Sequence, residues 1–159
     1  MYTIANKAGM LIVLDLSDVI VVLTTLVVVV IVVMTHYEGL HFFTRWMAKN
    51  TLKPRFRIVL MIYGLLLLHT FEITMFGAAY WFLSQSPGFG TLVTEDVLNV
   101  LDCLYFSATV YSTLGFGDLV PTQSIRILAG IEGVTGLLLI TWSASFTYLE
   151  MVRYWRDED

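Results

Sequence analysis

The sequence predicts an all-α membrane protein: three membrane-crossing helices, with a short re-entrant helix and a loop between the second and third. Three observations carry this expectation. Of 159 residues, 57% are hydrophobic and 14% charged, with a mean hydropathy of +0.77. A soluble core of this size needs far more polar surface. Three apolar runs, residues 10–34, 57–84 and about 122–148, are long enough to cross a bilayer. Between the last two lies an amphipathic run, 99–112, that is too short to cross and leads into a hexapeptide containing two glycines. Non-helical backbone at membrane depth persists only when buried in protein or lining water, so this segment reads as re-entrant.

The first span is almost pure Val, Ile and Leu over residues 19–34, with Thr24 and Thr25. Such a run favours strand by propensity, but a lone strand in lipid leaves its backbone unsatisfied, so helix prevails. Asp15 and Asp18 place its start near one interface, and it lacks the spaced Arg or Lys of a voltage sensor. No cleavable leader is expected, because the apolar run is interrupted by these acids and has no small-residue cleavage pattern. Residues 1–35 are read as a peripheral membrane helix. The lone Cys103 cannot form an intrachain disulfide.

Residues 36–56 read as a basic, amphipathic linker. From His36 to Arg57 the chain holds five of its nine basic residues, Arg45, Lys49, Lys53, Arg55 and Arg57, against Glu38 alone. The positive-inside rule puts this stretch in the cytoplasm. Leu40, Phe43, Trp46 and Met47 recur at helical spacing, so residues 39–50 are expected to form a helix lying on the inner leaflet with those side chains towards lipid. A solvated linker is the alternative. Pro54 breaks the chain before the second span.

The second span ends in Tyr80 and Trp81, suited to an interfacial belt. Residues 85–97 read as an outer turret. From 85 to 123 there are four acids, Glu95, Asp96, Asp102 and Asp118, and no Lys or Arg. This asymmetry puts that side outside, the N-terminus outside and the C-terminus in the cytoplasm. Asn99 is the expected N-cap of the short helix, with Asp102 three residues on. The third span carries Gly130, Gly133 and Gly136 on a small-residue face that admits close helix approach. Glu132 is expected to bond the region of the short helix. Residues 151–159 read as a cytoplasmic tail.

The hexapeptide is Thr113-Leu114-Gly115-Phe116-Gly117-Asp118, followed by Pro121. In the order helix, hexapeptide, acid, proline, membrane-length helix, it resembles the pore loop and filter of the potassium channel family, whose usual filter reads Thr-Val-Gly-Tyr-Gly-Asp. Leu114 and Phe116 depart from that pattern; Thr113, Gly115, Gly117 and Asp118 match it. The resemblance covers roughly residues 57–150, the pore domain. A filter replaces a cation's water with backbone carbonyl oxygens, and alternate glycines reach the required torsions without a Cβ clash. The similar run Pro87-Gly88-Phe89-Gly90 has neither the preceding short helix nor the Thr, and reads as a turn.

The resemblance implies a potassium-selective channel that passes dehydrated K⁺, with Thr113, Leu114, Gly115, Phe116 and Gly117 around the ion and Asp118 in support. The family usually has a carboxylate in the pore helix; its matching position is Thr109, so that support is missing or made differently. Gly136 is the nearest match to the family's inner-helix hinge, and plain close packing explains it as well. One chain supplies one filter loop, and four loops are needed to surround an ion, so the expected assembly is a homotetramer in membrane lipid. K⁺ is the permeant ion and no resident cofactor is expected; neither a nucleic-acid partner nor a small-molecule substrate is indicated. A non-conducting pore-loop subunit with a regulatory role is the alternative. An enzyme is not: no nucleophile and base accompany each other, and His69 and Glu72, three apart without another His or Cys nearby in the chain, make a weak metal pair.

His69 and Glu72 lie near the middle of the second span, where a charge costs ~2.5–3.5 kcal/mol on insertion scales unless paired. Counting ~1.5 Å per residue along two antiparallel helices starting at about Met10 and Arg57 brings Asp18 close to the depth of Glu72. The expectation is a polar cluster of Asp18, His69 and Glu72 that docks the first helix on the second, either as packing alone or as a sensor whose protonation biases the pore.

Overall fold

The computed structural model describes residues 15–49, 53–94 and 97–155. Its elements in order are α1 (Leu16–Lys49), α2 (Pro54–Ser84), β1 (Leu92–Val93), α3 (Val100–Tyr111), β2 (Val120–Pro121) and α4 (Ile125–Trp155). Three of the helices, α1, α2 and α4, are long and apolar enough to cross a membrane. Helix α3 is the short one, held between α2 and α4, as the re-entrant reading requires.

Asp15 starts α1, its Oδ1 accepting the Leu16 amide at 2.7 Å, while Asp18 Oδ2 accepts the Asp15 amide at 3.2 Å. These carboxylates satisfy amides that a helix start leaves without intrahelical partners. The part of the first span before Asp15 lies outside the described residues. Helix α2 begins at Pro54, which is suited to a first-turn position that needs no amide donor. Helix α3 opens with a capping box: Asn99 Oδ1 accepts the Asp102 amide at 3.1 Å and Asp102 Oδ2 accepts the Asn99 amide at 2.9 Å.

The expected break between span and linker does not occur. Helix α1 is continuous from Leu16 to Lys49, so residues 39–49 are not a separate helix in the leaflet plane; Asn50 lies outside the described residues. The buried positions Val21, Thr25, Val28, Val32, His36, Leu40 and Met47 form one helical stripe that runs through the supposed boundary. A Cβ on Gly64 would overlap the Phe43 ring, and one on Gly39 would lie 2.7 Å from Leu68 Cδ2. Two glycines therefore let α1 and α2 approach, and Phe43 and Met47 face α2 rather than lipid. Leu40, Met47, Met61 and Leu65 form the core of this end. The Arg57 guanidinium donates to the Met47 carbonyl, tying the start of α2 to α1.

At the other end Val21, Val28, Phe76, Tyr80, Cys103, Phe106, Ile125 and Leu128 bring all four helices into one core. The outward faces carry Leu23, Leu26, Val30, Leu66 and Leu67, apolar side chains that water would penalise and a bilayer does not. The stretch after α2 folds back on the stretch that leads into α4. Strands β1 and β2 pair antiparallel, Leu92 with Pro121 and Val93 with Val120. Gly88 and Gly90 take left-handed torsions, confirming a turn there, and a Cβ on Gly90 would overlap the Thr122 carbonyl. Glu95 and Asp96 lie outside the described residues, as do Arg156 and the three acids after it. Helix α4 extends to Trp155, so the start of the expected tail is helical.

Candidate functional site

Residues 113–118 leave the C-terminus of α3 and are exposed along their whole length. Three alternate positions are left-handed: Thr113 at φ +61°, Gly115 at +52° and Gly117 at +82°. The glycines meet no atom within 4 Å of an added Cβ, so torsion and not space demands glycine there. Thr113 has no such freedom, and its amide is held by the Val110 carbonyl at 3.0 Å. The Ser112 amide bonds to Ala108 at 3.1 Å, and the Gly115 amide reaches back to the Thr109 carbonyl, also at 3.1 Å. In a trans peptide the C=O points opposite the N–H. With the amides of Thr113 and Gly115 turned onto α3, the carbonyls of Ser112 and Leu114 point away from it.

The side-chain support of the loop does not come from Thr109, whose Oγ1 donates to the Phe106 carbonyl of its own helix at 2.8 Å. It comes from two other places. Tyr105 donates to Asp118 Oδ2 at 2.8 Å, pinning the C-terminal end of the loop to α3. That bond to the carboxylate holds the Tyr105 phenol above the ordinary tyrosine range. Behind α3, the fully buried Glu132 lies 2.5 Å from Ser107 Oγ and accepts from Tyr80 OH at 2.5 Å, joining α2, α3 and α4. Glu132 thus bonds the short helix as expected; Tyr80, expected in an interfacial belt, is instead fully buried because its hydroxyl serves Glu132, and Tyr105 carried no distinguishing sequence signal. A Cβ on Gly136 would overlap the Tyr111 carbonyl, so α4 packs backbone to backbone against the last residue of α3. Gly133 makes ordinary contact with Val110, and Gly130 faces open space.

The expected cluster of Asp18, His69 and Glu72 is not formed. Asp18 sits in the first turn of α1, where its Oδ1 accepts from Ser124 Oγ at 2.5 Å just before α4. The depth count fails because α1 continues deeper than assumed, so His36 and not Asp18 reaches the level of Glu72. His36 Nδ1 lies 2.8 Å from Glu72 Oε1, and His69 Nδ1 lies 3.0 Å from Glu72 Oε2. Tyr111 OH donates to Glu72 and lies 2.9 Å from His69 Nδ1. Glu72 is fully buried and saturated, as a carboxylate at this depth must be. His36 escaped the sequence reading because it was assigned to the linker; the 3–4 spacing of the α1 stripe was the signal that could have found it.

Three apolar helices of membrane-crossing length, with a fourth short helix ending in an exposed loop of alternating left-handed torsions, describe a pore-loop membrane protein. A sequence profile described as ion channel matches residues 58–152, which covers α3 and the loop and nearly all of α2 and α4. The chain belongs to this ion channel family: it is a multi-pass membrane protein and a channel, not an enzyme. It is similar to the potassium channel protein Kcv of Paramecium bursaria Chlorella virus 1, with 35% identity over 79 residues, 46% of this chain and 81% of the relative. No solved structure matches it.

Proposed function

We propose that four copies of this chain assemble about an axis and pass dehydrated potassium through a filter built from Thr113, Leu114, Gly115, Phe116 and Gly117. The carbonyls of Thr113, Leu114, Gly115 and Phe116, with the Thr113 hydroxyl, take the place of the ion's water. The observation that carries this reading is the alternation of left-handed torsions at Thr113, Gly115 and Gly117, with the amides of Thr113 and Gly115 bonded back to α3. Such a backbone offers an ion oxygens rather than N–H groups. The name of the viral relative supports potassium as the ion.

Assembly follows from exposure and chemistry. Leu114 is 62% and Phe116 66% exposed in the single chain. Large apolar side chains beside a polar loop need cover, and three further copies supply it while closing the ring of carbonyls. The C-terminal end of α3 places partial negative charge at the inner side of the loop, favouring a cation. With the basic linker inside, the N-terminus lies outside, the C-terminus lies in the cytoplasm, and Asp102 and Asp118 concentrate cations at the mouth. Purified protein in liposomes tests the reading. Potassium-driven flux with little sodium flux is expected. Equal permeation of both ions defeats selectivity, and no flux from a folded tetramer makes the chain a non-conducting subunit.

A further inference from the structure

Away from the pore loop, a set of nitrogen and oxygen donors converges where α1, α2 and α3 meet. The donor atoms of His36, His69 and Glu72 all lie within 4.8 Å of one another. His69 and Glu72, a helical turn apart, offer two ligands on one face of α2. The fold adds the third from α1, 36 residues before Glu72. His36 and Glu72 are fully buried, and the two imidazole rings stand 5.4 Å apart with the carboxylate between their Nδ1 atoms.

We propose that His36 Nδ1, His69 Nδ1 and a Glu72 oxygen form a binding site for a divalent cation of borderline softness, of the Zn²⁺ type. Two imidazoles and one carboxylate make a familiar donor set for such an ion, at ligand distances of about 2.0–2.2 Å. Calcium and magnesium are disfavoured, because each seeks six or more ligands, nearly all oxygen. The Tyr111 hydroxyl, beside both His69 and Glu72, occupies the fourth position as a neutral oxygen donor.

The proton balance closes without loss of charge. A neutral imidazole has one N–H and one lone pair, and both Nδ1 atoms now face the carboxylate. On metal binding the ring proton moves from Nδ1 to Nε2, freeing the Nδ1 lone pair for the ion. For His36 the shifted proton meets Ser143 Oγ, 3.5 Å from Nε2, the outer partner that a metal-bound histidine ordinarily has. His69 is the open edge at 16% exposure. A groove of about 350 Å³ between α2 and α4, lined by Leu66, His69, Tyr111, Ile140, Ser143 and Thr147, leads to it.

An ion there would tie α1 to α2 and to the last residue of α3, immediately before the pore loop. The site needs no assumption about which ion the pore selects. Its test is metal binding to the purified full chain in detergent micelles. Co²⁺, a spectroscopic stand-in for Zn²⁺, is expected to give intense tetrahedral ligand-field bands that saturate at one equivalent per chain and are displaced by Zn²⁺. His36→Gln and His69→Gln should each weaken binding at least about tenfold. His41→Gln, which alters the third histidine of the chain, should leave it unchanged. Thermal unfolding gives an independent readout that does not depend on the variants folding: Zn²⁺ should raise the midpoint of the wild-type chain, and Mg²⁺ should not. Absence of tetrahedral bands in the wild type, an equal Mg²⁺ effect, or loss of binding on His41→Gln would each overturn the proposal.

Discussion

At Gly115 the torsion of +52° is the whole requirement, since open space surrounds the missing Cβ. An alanine there costs about 1–2 kcal/mol in the left-handed region, too little to unfold the chain and enough to turn its peptide. Gly115→Ala is therefore expected to keep native helicity by circular dichroism while losing selective potassium flux in liposomes. At Tyr105 the relevant event is ionisation. The neutral phenol donates to Asp118, so the bond is present below the ordinary tyrosine range and is lost as pH climbs through the raised value. An ultraviolet pH titration should lose its high-pH component from one tyrosine in Asp118→Asn, with that phenol ionising earlier. An unchanged titration curve would show that the bond is not held in solution.

The elements meet through glycine where their backbones come closest. Gly136 sits against the backbone of Tyr111, which cannot step aside as a side chain can. Overpacking of this kind costs about 1–3 kcal/mol. Gly136→Ala should lower the unfolding midpoint in detergent, whereas Gly130→Ala, facing open space, should leave it unchanged or slightly higher. Equal effects at both positions would remove the packing account of Gly136. Between α1 and α2, Gly64 makes room for a side chain rather than a backbone: the Phe43 ring, which any substituent there would displace.

For the whole molecule, the charge asymmetry is the ground for the proposed orientation and the exposed loop the ground for the proposed assembly. The Gln85 end of α2 is expected outside and the Arg153 end of α4 inside. In intact cells an impermeant thiol reagent should label Gln85→Cys and spare Arg153→Cys; the native Cys103 is buried and gives little background. Labelling in the reverse pattern would invert the topology. Two carboxylates in the membrane interior are matched by partners, Glu132 by Tyr80 and Ser107 from other helices, and Glu72 by His36 and Tyr111 from other helices and by His69 of its own. These two networks join α1, α2 and α4 to α3, so the helix that carries the pore loop is held by polar as well as apolar contacts.

By itself the sequence determined the number of spans, the short helix with its Asn99–Asp102 cap and the position of the pore loop. Each of these depends on local information: run length, capping chemistry or a hexapeptide between two helices. It also determined that Glu72 and Glu132 need partners, because burying a carboxylate alone in lipid is too costly. Only the tertiary structure decided who those partners are. The depth of a side chain depends on where its helix starts and how far it continues, and neither charge clusters nor Pro54 revealed that α1 runs unbroken to Lys49. Phe43 and Met47 have the pattern of a membrane-surface helix, but Gly39 and Gly64 open a close approach in which those side chains face α2. For the same reason Asp18 stays in the first turn of α1 with Ser124, and His36, which the charge pattern places at the start of a polar loop, becomes the buried neighbour of Glu72. Helical periodicity says which face is buried, whereas the packing of a second helix decides what that face meets.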